Sequence, residues 1–287
     1  MGSFVRFGIV VSEGALLSSV KVFVVGLVVV LGLVLDSSSP IGETYSAVLK
    51  NPAKNVLISQ KAWDTCIVGY PNANIPVNEF PNDLNASELI NTRACNKAVL
   101  AEINFRHYVE GYPPISLSKS YFSMPAPEQL LVVINEERTT RNLAPFVGVV
   151  SSLNEDSLLA AKRGVDPNPS SKDGSWSIYN SIWAGGYQSA LLADFDWMYS
   201  DGWGGSVNNT INVDCTSSRS LGCWGHRQGI LTAYPPSSGL ILVAGSALVT
   251  NGSANLELPS WAAAFEQVPK SDVRINLDLP ATSGPYA

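Results

Sequence analysis

Histidine is almost missing from this chain: His107 and His226 are the only two in 287 residues. That excludes a metal centre built mainly on imidazoles, and any acid–base scheme must use one of these rings or carboxylates alone. Charge is scarce as well, at 15% of residues, and it leans acidic, with 18 Lys and Arg against 24 Asp and Glu for a net −6. No Lys/Arg cluster is dense enough to neutralise a phosphate backbone, which excludes nucleic acid as a partner. No basic stripe suits an anionic membrane surface either. Also absent are the Gly-x-Ser-x-Gly elbow, the His-Glu-x-x-His helix, the phosphate-binding loop, Gly-x-Gly-x-x-Gly and Cys-x-x-Cys.

What is present begins with an address. Val22 to Leu35 is an unbroken apolar run, preceded by Arg6 and Lys21 and followed by Asp36. It is shorter than the roughly 20 residues of a spanning helix and fits a signal-peptide core. Yet Asp36-Ser-Ser-Ser39 leads into Pro40 without a small-x-small cleavage site. Residues 1–36 are therefore a signal peptide or an uncleaved signal anchor. Both leave the remainder extracellular, secreted or held by a single N-terminal membrane helix. Export makes the four cysteines legible, since they fall into two sequence-local pairs. Cys66–Cys95 and Cys215–Cys223 are the expected disulfides, formed in an oxidising compartment. Asn85-Ala-Ser87, Asn208-Asn-Thr210 and Asn251-Gly-Ser253 match glycosylation sequons.

Residues 37–118 read as a tether followed by a small helical annex. Trp63 to Pro81 is loop-like, and a helix is expected over Asp83 to Tyr108, capped by Asn85 or Ser87 and ended by Gly111 and Pro113-Pro114. His107, at the end of that helix, is expected to be a solvated or capping side chain. Residues 119–287 form the main domain. Pro127 suits a first helical turn, Leu130, Leu131 and Ile134 continue it, and Asn142 sits where a left-handed residue ends it. A second helix is expected from Asn154 to Gly164 and a third over Ser189 to Ser200. Gly239 to Val249 and Leu258 to Val268 are β-prone. Helices early and strands late, without βαβ alternation, predict an α+β class.

Four segments of this domain resemble the CAP superfamily (the SCP domain of cysteine-rich secretory and pathogenesis-related proteins). Ile134-Asn-Glu-Glu-Arg138 with Leu143-Ala-Pro145 is similar to its first helix, and Leu153 to Lys162 to its second. Ser181-Ile-Trp183-Ala-Gly-Gly186 is similar to its glycine-bearing segment. Trp197-Met-Tyr199 and Gly225-His226-Arg227 with Ile230-Leu231 resemble the late helix and the Gly-His-Arg pattern of bacterial members. The resemblance covers about residues 121–270 and implies an α-β-α sandwich with a central cavity. In many members two histidines and two acids line that cavity and hold a divalent metal. Here Ile134 stands at the first histidine position, Ser181 at or near the first glutamate, and Ser200, beside Asp201, at the second acid. Only His226 carries over plainly.

One imidazole and one carboxylate fall short of a divalent site, so no cofactor is expected beyond weak divalent metal binding at His226. Two readings of the site follow. In one, His226, Asp201 and Ser181 form a catalytic set for hydrolysing cell-envelope bonds. In the other, His226 is bonded into the fold and the protein is a binding module for a lipid, glycan or protein ligand at the cell surface. Trp176, Trp183, Trp197, Trp203 and Trp224 crowd this region. Trp203, Trp224 and Arg227 are the candidates for a ligand groove, and Trp183 and Trp197 for the core.

Overall fold

The computed structural model describes residues 49–66, 92–168, 178–187, 189–204, 212, 214–234, 239–250 and 259–270. All of them belong to one compact unit that begins at Leu49, so the expected signal or anchor segment, the sequons and Trp176 lie outside the described residues. Among the described residues no helix is long and apolar enough to cross a membrane.

The elements in chain order are α1 (Gln60–Cys66), α2 (Arg93–Glu110), a 3₁₀ turn (Tyr121–Ser123), α3 (Ala126–Thr139), α4 (Ser151–Arg163), β1 (Ile178–Gly185), α5 (Ala190–Tyr199), α6 (Gly225–Ile230), β2 (Leu240–Val249) and β3 (Ser260–Pro269). The class is mixed α+β, as expected. The three strands pair antiparallel in the order β1-β3-β2. Strand β1 was not anticipated. Its Asn, Ser and Gly residues carry little intrinsic β character, and pairing along the buried β3 supplies it.

Several helix ends follow local rules. Pro127 sits in the first turn of α3, Asn142 is left-handed at φ 59°, and Gly111 and Gly164 close α2 and α4 at φ 82° and 69°. Two starts differ from expectation. Thr92 caps α2 by accepting the Cys95 amide, whereas Asn85 and Ser87 lie outside the described residues. Helix α4 begins at Ser151 because Asn154 is spent elsewhere: its Oδ1 accepts the Ser246 amide of β2 at 2.8 Å.

Strand alternation gives the sheet two different faces. Trp183, Val243, Ala262 and Ala264 pack against Leu153, Ala160 and Ala161 of α4. The opposite residues, Ile182, Ala244, Ala263 and Phe265, share the main core with α3, α5 and α6. That core also takes in Trp63 of α1 and Val99 and Ile103 of α2, so the annex and the main domain bury side chains together. Both expected disulfides form, Cys66–Cys95 joining α1 to α2 and Cys215–Cys223 closing the loop before α6.

Candidate functional site around His226

The site is assembled where α5 ends and α6 begins. Asp201 follows the last turn of α5, and its backbone carbonyl accepts the Trp224 amide at 2.8 Å. Trp224 is left-handed at φ 64°, a turn that swings its indole onto Gly202. A Cβ at Gly202 would fall 2.1 Å from Trp224 Cε2, so only glycine allows this stacking. The Asp201 carboxylate then meets the start of α6: Oδ2 accepts the amides of His226 at 2.8 Å and Arg227 at 3.3 Å. Oδ1 accepts from Asn212 Nδ2 at 2.6 Å and from the His226 ring.

His226 Nδ1 lies 2.7 Å from Asp201 Oδ1, and because a carboxylate only accepts, Nδ1 carries the proton. On the other side Nε2 faces Asp166 Oδ1 at 3.8 Å. The Asp201 side chain is 1% exposed, that of His226 20% and that of Asp166 35%. Burial alone would lower the imidazole pKa. The charge of Asp201, with Asp166 and the hydrogen bonds, overrides it and holds the ring well above its ordinary value of 6.5. The surroundings are acidic throughout. Burial, with Asp201 adding its charge, pushes the Asp196 carboxyl up to about 7. Burial and then Asp166 raise Asp214.

Asp201 bonds Nδ1 and, with Asp166 at 3.8 Å from Nε2, favours the charged ring, and in that form Nε2 has no lone pair for a metal or a substrate proton. Among the described residues no group of three or more His, Cys, Asp or Glu is placed to hold a metal ion.

Ser181 does not join this site. It pairs with Ala264 and shares the α4 face with Trp183, whereas its neighbour Ile182 belongs to the core on the α6 side. The sheet therefore stands between the Ser181 hydroxyl and His226, and the Ser181–His226–Asp201 set is not assembled. The groove candidates also divide. Arg227 is 2% exposed, with Nη1 donating to Met198 O at 2.6 Å and Nη2 held by Glu110, and Trp224 is buried against Gly202. Trp203 alone stays half-buried. Trp183 and Trp197 pack as expected, the Trp197 indole N–H donating to Trp183 O at 3.0 Å.

Sequence reasoning missed a second group of polar side chains. His107 is not solvated: it is fully buried, with Nδ1 donating to Pro113 O at 2.7 Å and Nε2 meeting Glu137 Oε2 at 2.9 Å. Arg141 donates to the same Glu137 oxygen and, through Nη2, to Glu110 Oε2 at 2.8 Å. Tyr199 closes the group, its hydroxyl donating to Glu137 Oε1 at 3.3 Å. Burial would push the Glu137 carboxyl up, but Arg141 and the His107 hydrogen bond reverse this and bring it down to about 2. Asp194, fully buried nearby, is raised well above the carboxylate range by burial and then by the charge of Glu137. A signal for this network was available: an aspartate within the apolar run of α5, and an acid–base pair four residues apart across the end of α3, Glu137 and Arg141, both call for partners inside.

Comparison of the chain with protein-family models, with curated proteins and with solved structures finds no match in any of the three.

Proposed function

We propose that the chain is an exported protein of the CAP superfamily, with an SCP-like α-β-α sandwich, that works as a binding or interaction module at the cell surface. The order of elements from α3 on supports the family reading: two helices, a strand, a helix, the short helix that begins Gly225-His226-Arg227 and a final strand pair, with helices on both sheet faces. The two disulfides fit an oxidising compartment.

The observation that carries the binding role is the state of His226. Its ring is hydrogen-bonded by Asp201 and faces Asp166, Ile134 stands in the apolar core where the family has a histidine, and Ser181 faces away. Such a site favours recognition over metal-assisted or nucleophilic chemistry, with Trp203 as the accessible ring for a lipid, glycan or protein ligand. Calorimetry with zinc on the full chain tests this. The expected result is no stoichiometric binding near neutral pH, and tight zinc binding abolished by His226→Ala overturns the reading.

One observation favours the rival, a cell-envelope hydrolase. The 2.7 Å Asp201–His226 contact, with Nε2 toward partly open space, is the arrangement of an oriented acid. A panel of peptide and ester substrates separates the two. A turnover present in wild type and lost in His226→Ala establishes the hydrolase, and identical behaviour removes it.

A further inference from the structure

Away from His226 the chain forms a second concavity. A cleft of about 370 Å³ opens between residues 50–56 and the last turns of α2. That volume lies in the range of small-molecule sites. One wall is held in place by hydrogen bonds to the main chain of residues 55 and 56: Val56 N donates to Tyr199 O at 2.7 Å, Asn55 N to Gly204 O at 3.0 Å, and Ser200 Oγ to Val56 O at 2.7 Å. Val56, Val109, Tyr112 and Tyr199 supply apolar and aromatic surface.

The charge of the cleft runs against that of the chain. Lys50, Lys54 and Arg106 line it, and among the described residues no carboxylate lies within ion-pair distance of them. The one acid in the lining, Glu110, is already neutralised from behind. Arg141 Nη2 donates to it at 2.8 Å, and Arg227 Nη2 at 2.9 and 3.1 Å. With Arg141 shared between Glu110 and Glu137, the floor is balanced, and the net positive charge of the cleft comes from Lys50, Lys54 and Arg106. Arg106 adds a specific signal, because its Nε is buried without a hydrogen-bond partner. A desolvated cationic donor is costly unless an acceptor reaches it. Free surface lysines are ordinary; three cations on a preformed concavity with an unsatisfied donor are not.

We propose that this cleft binds an organic anion, a carboxylate or phosphate head held by Lys50, Lys54 and Arg106 with an apolar body against Val56, Val109 and Tyr112. The inference does not rest on the CAP reading, since all six residues precede the region that carries that resemblance. An acidic protein gains from such a site a local attraction for anions that its overall field repels.

The test is calorimetric titration of the full chain with octanoate and with octyl phosphate, with octanol and octylammonium as controls. At least one anion is expected to bind one to one with a Kd below about 1 mM. Which of the two binds tells carboxylate from phosphate. Neither control should bind, added salt should weaken the interaction, and Lys50→Ala/Lys54→Ala/Arg106→Ala should weaken it about tenfold or more. Lys50→Glu and Lys54→Glu, at exposed positions, carry the same expectation without touching α2. His226→Ala should leave binding unchanged, which keeps this result separate from the fate of the His226 site. Binding of neither anion, equal binding of octylammonium, or undiminished binding by the charge variants overturns the proposal.

Discussion

At the scale of single residues, Asp201 joins two helices through one carboxylate. It caps the start of α6 with one oxygen and orients the His226 ring with the other, while Asn212 fills the remaining position. Asp201→Asn removes the counter-charge and should lower the His226 pKa toward its ordinary value, read from the ring resonances in an NMR titration. An unchanged titration would leave Asp166 as the carboxylate that raises the ring pKa. Glu137 holds the other network. Glu137→Gln leaves Arg141 and His107 facing a neutral amide in the interior, and should cost about 3–5 kcal/mol in a denaturant melt. A loss below about 1 kcal/mol would mean that the network contributes nothing net. Asp201 was a candidate partner of His226 only through the family resemblance, as the acid beside Ser200. The partner of His107 could not be read from the sequence, because Glu137 lies 30 residues away and meets it only through the packing of α2 on α3.

At the scale of elements, α4 approaches the sheet more closely than a side chain at Gly245 would permit. A Cβ there would lie 2.2 Å from Leu153 Cβ and 2.3 Å from its carbonyl carbon. Gly245→Ala must push α4 off β2, at a cost of about 1–3 kcal/mol. Gly229→Ala on α6 meets only Ile182 Cγ2 at 3.5 Å and Asn180 Cβ at 3.6 Å, so it should be tolerated and serves as the control. Parallel thermal melts decide both. The disulfides rank by the loop each closes, 29 residues against 8. Replacing Cys66 and Cys95 by Ala should cost about 3.5 kcal/mol, and replacing Cys215 and Cys223 about 2.5 kcal/mol, from chain entropy. Helices α3 and α5 and strands β2 and β3 were legible because each carries its own periodicity and end signals. Strands and helices without them were not: β1 is made by its partner, and α1 lies at the start of a Pro- and Asn-rich stretch.

At the scale of the whole molecule, the buried ionisable groups set an acidic stability optimum. Glu137 is depressed from 4.5 to about 2, so its contribution is present above 4.5 and lost as pH falls toward 2. Asp196 is raised from 3.8 to about 7, so the fold favours its neutral form and loses stability as pH rises across that interval, and Asp194 acts in the same direction. His226 is raised above 6.5, so its contribution is full below 6.5 and declines as pH climbs through its folded value. The thermal midpoint should therefore peak at a pH of about 4–5 and fall steadily through neutrality. A midpoint rising from pH 5 to 8 would contradict the assigned proton states.

The amino-acid sequence by itself determined the two disulfide pairings, the mixed α+β class, and the bounds of α5 and β2 to within a residue. Each depends on spacing or end chemistry within a short span of chain. Tertiary structure alone decided that Ser181 faces α4, that His107 is sealed against Glu137, that Arg227 is buried on Glu110 rather than lining a groove, and that Lys50, Lys54 and Arg106 gather around one cleft. Those outcomes depend on which face of a strand or helix turns inward and on which distant segment it then meets. Packing sets both, and no local pattern encodes either.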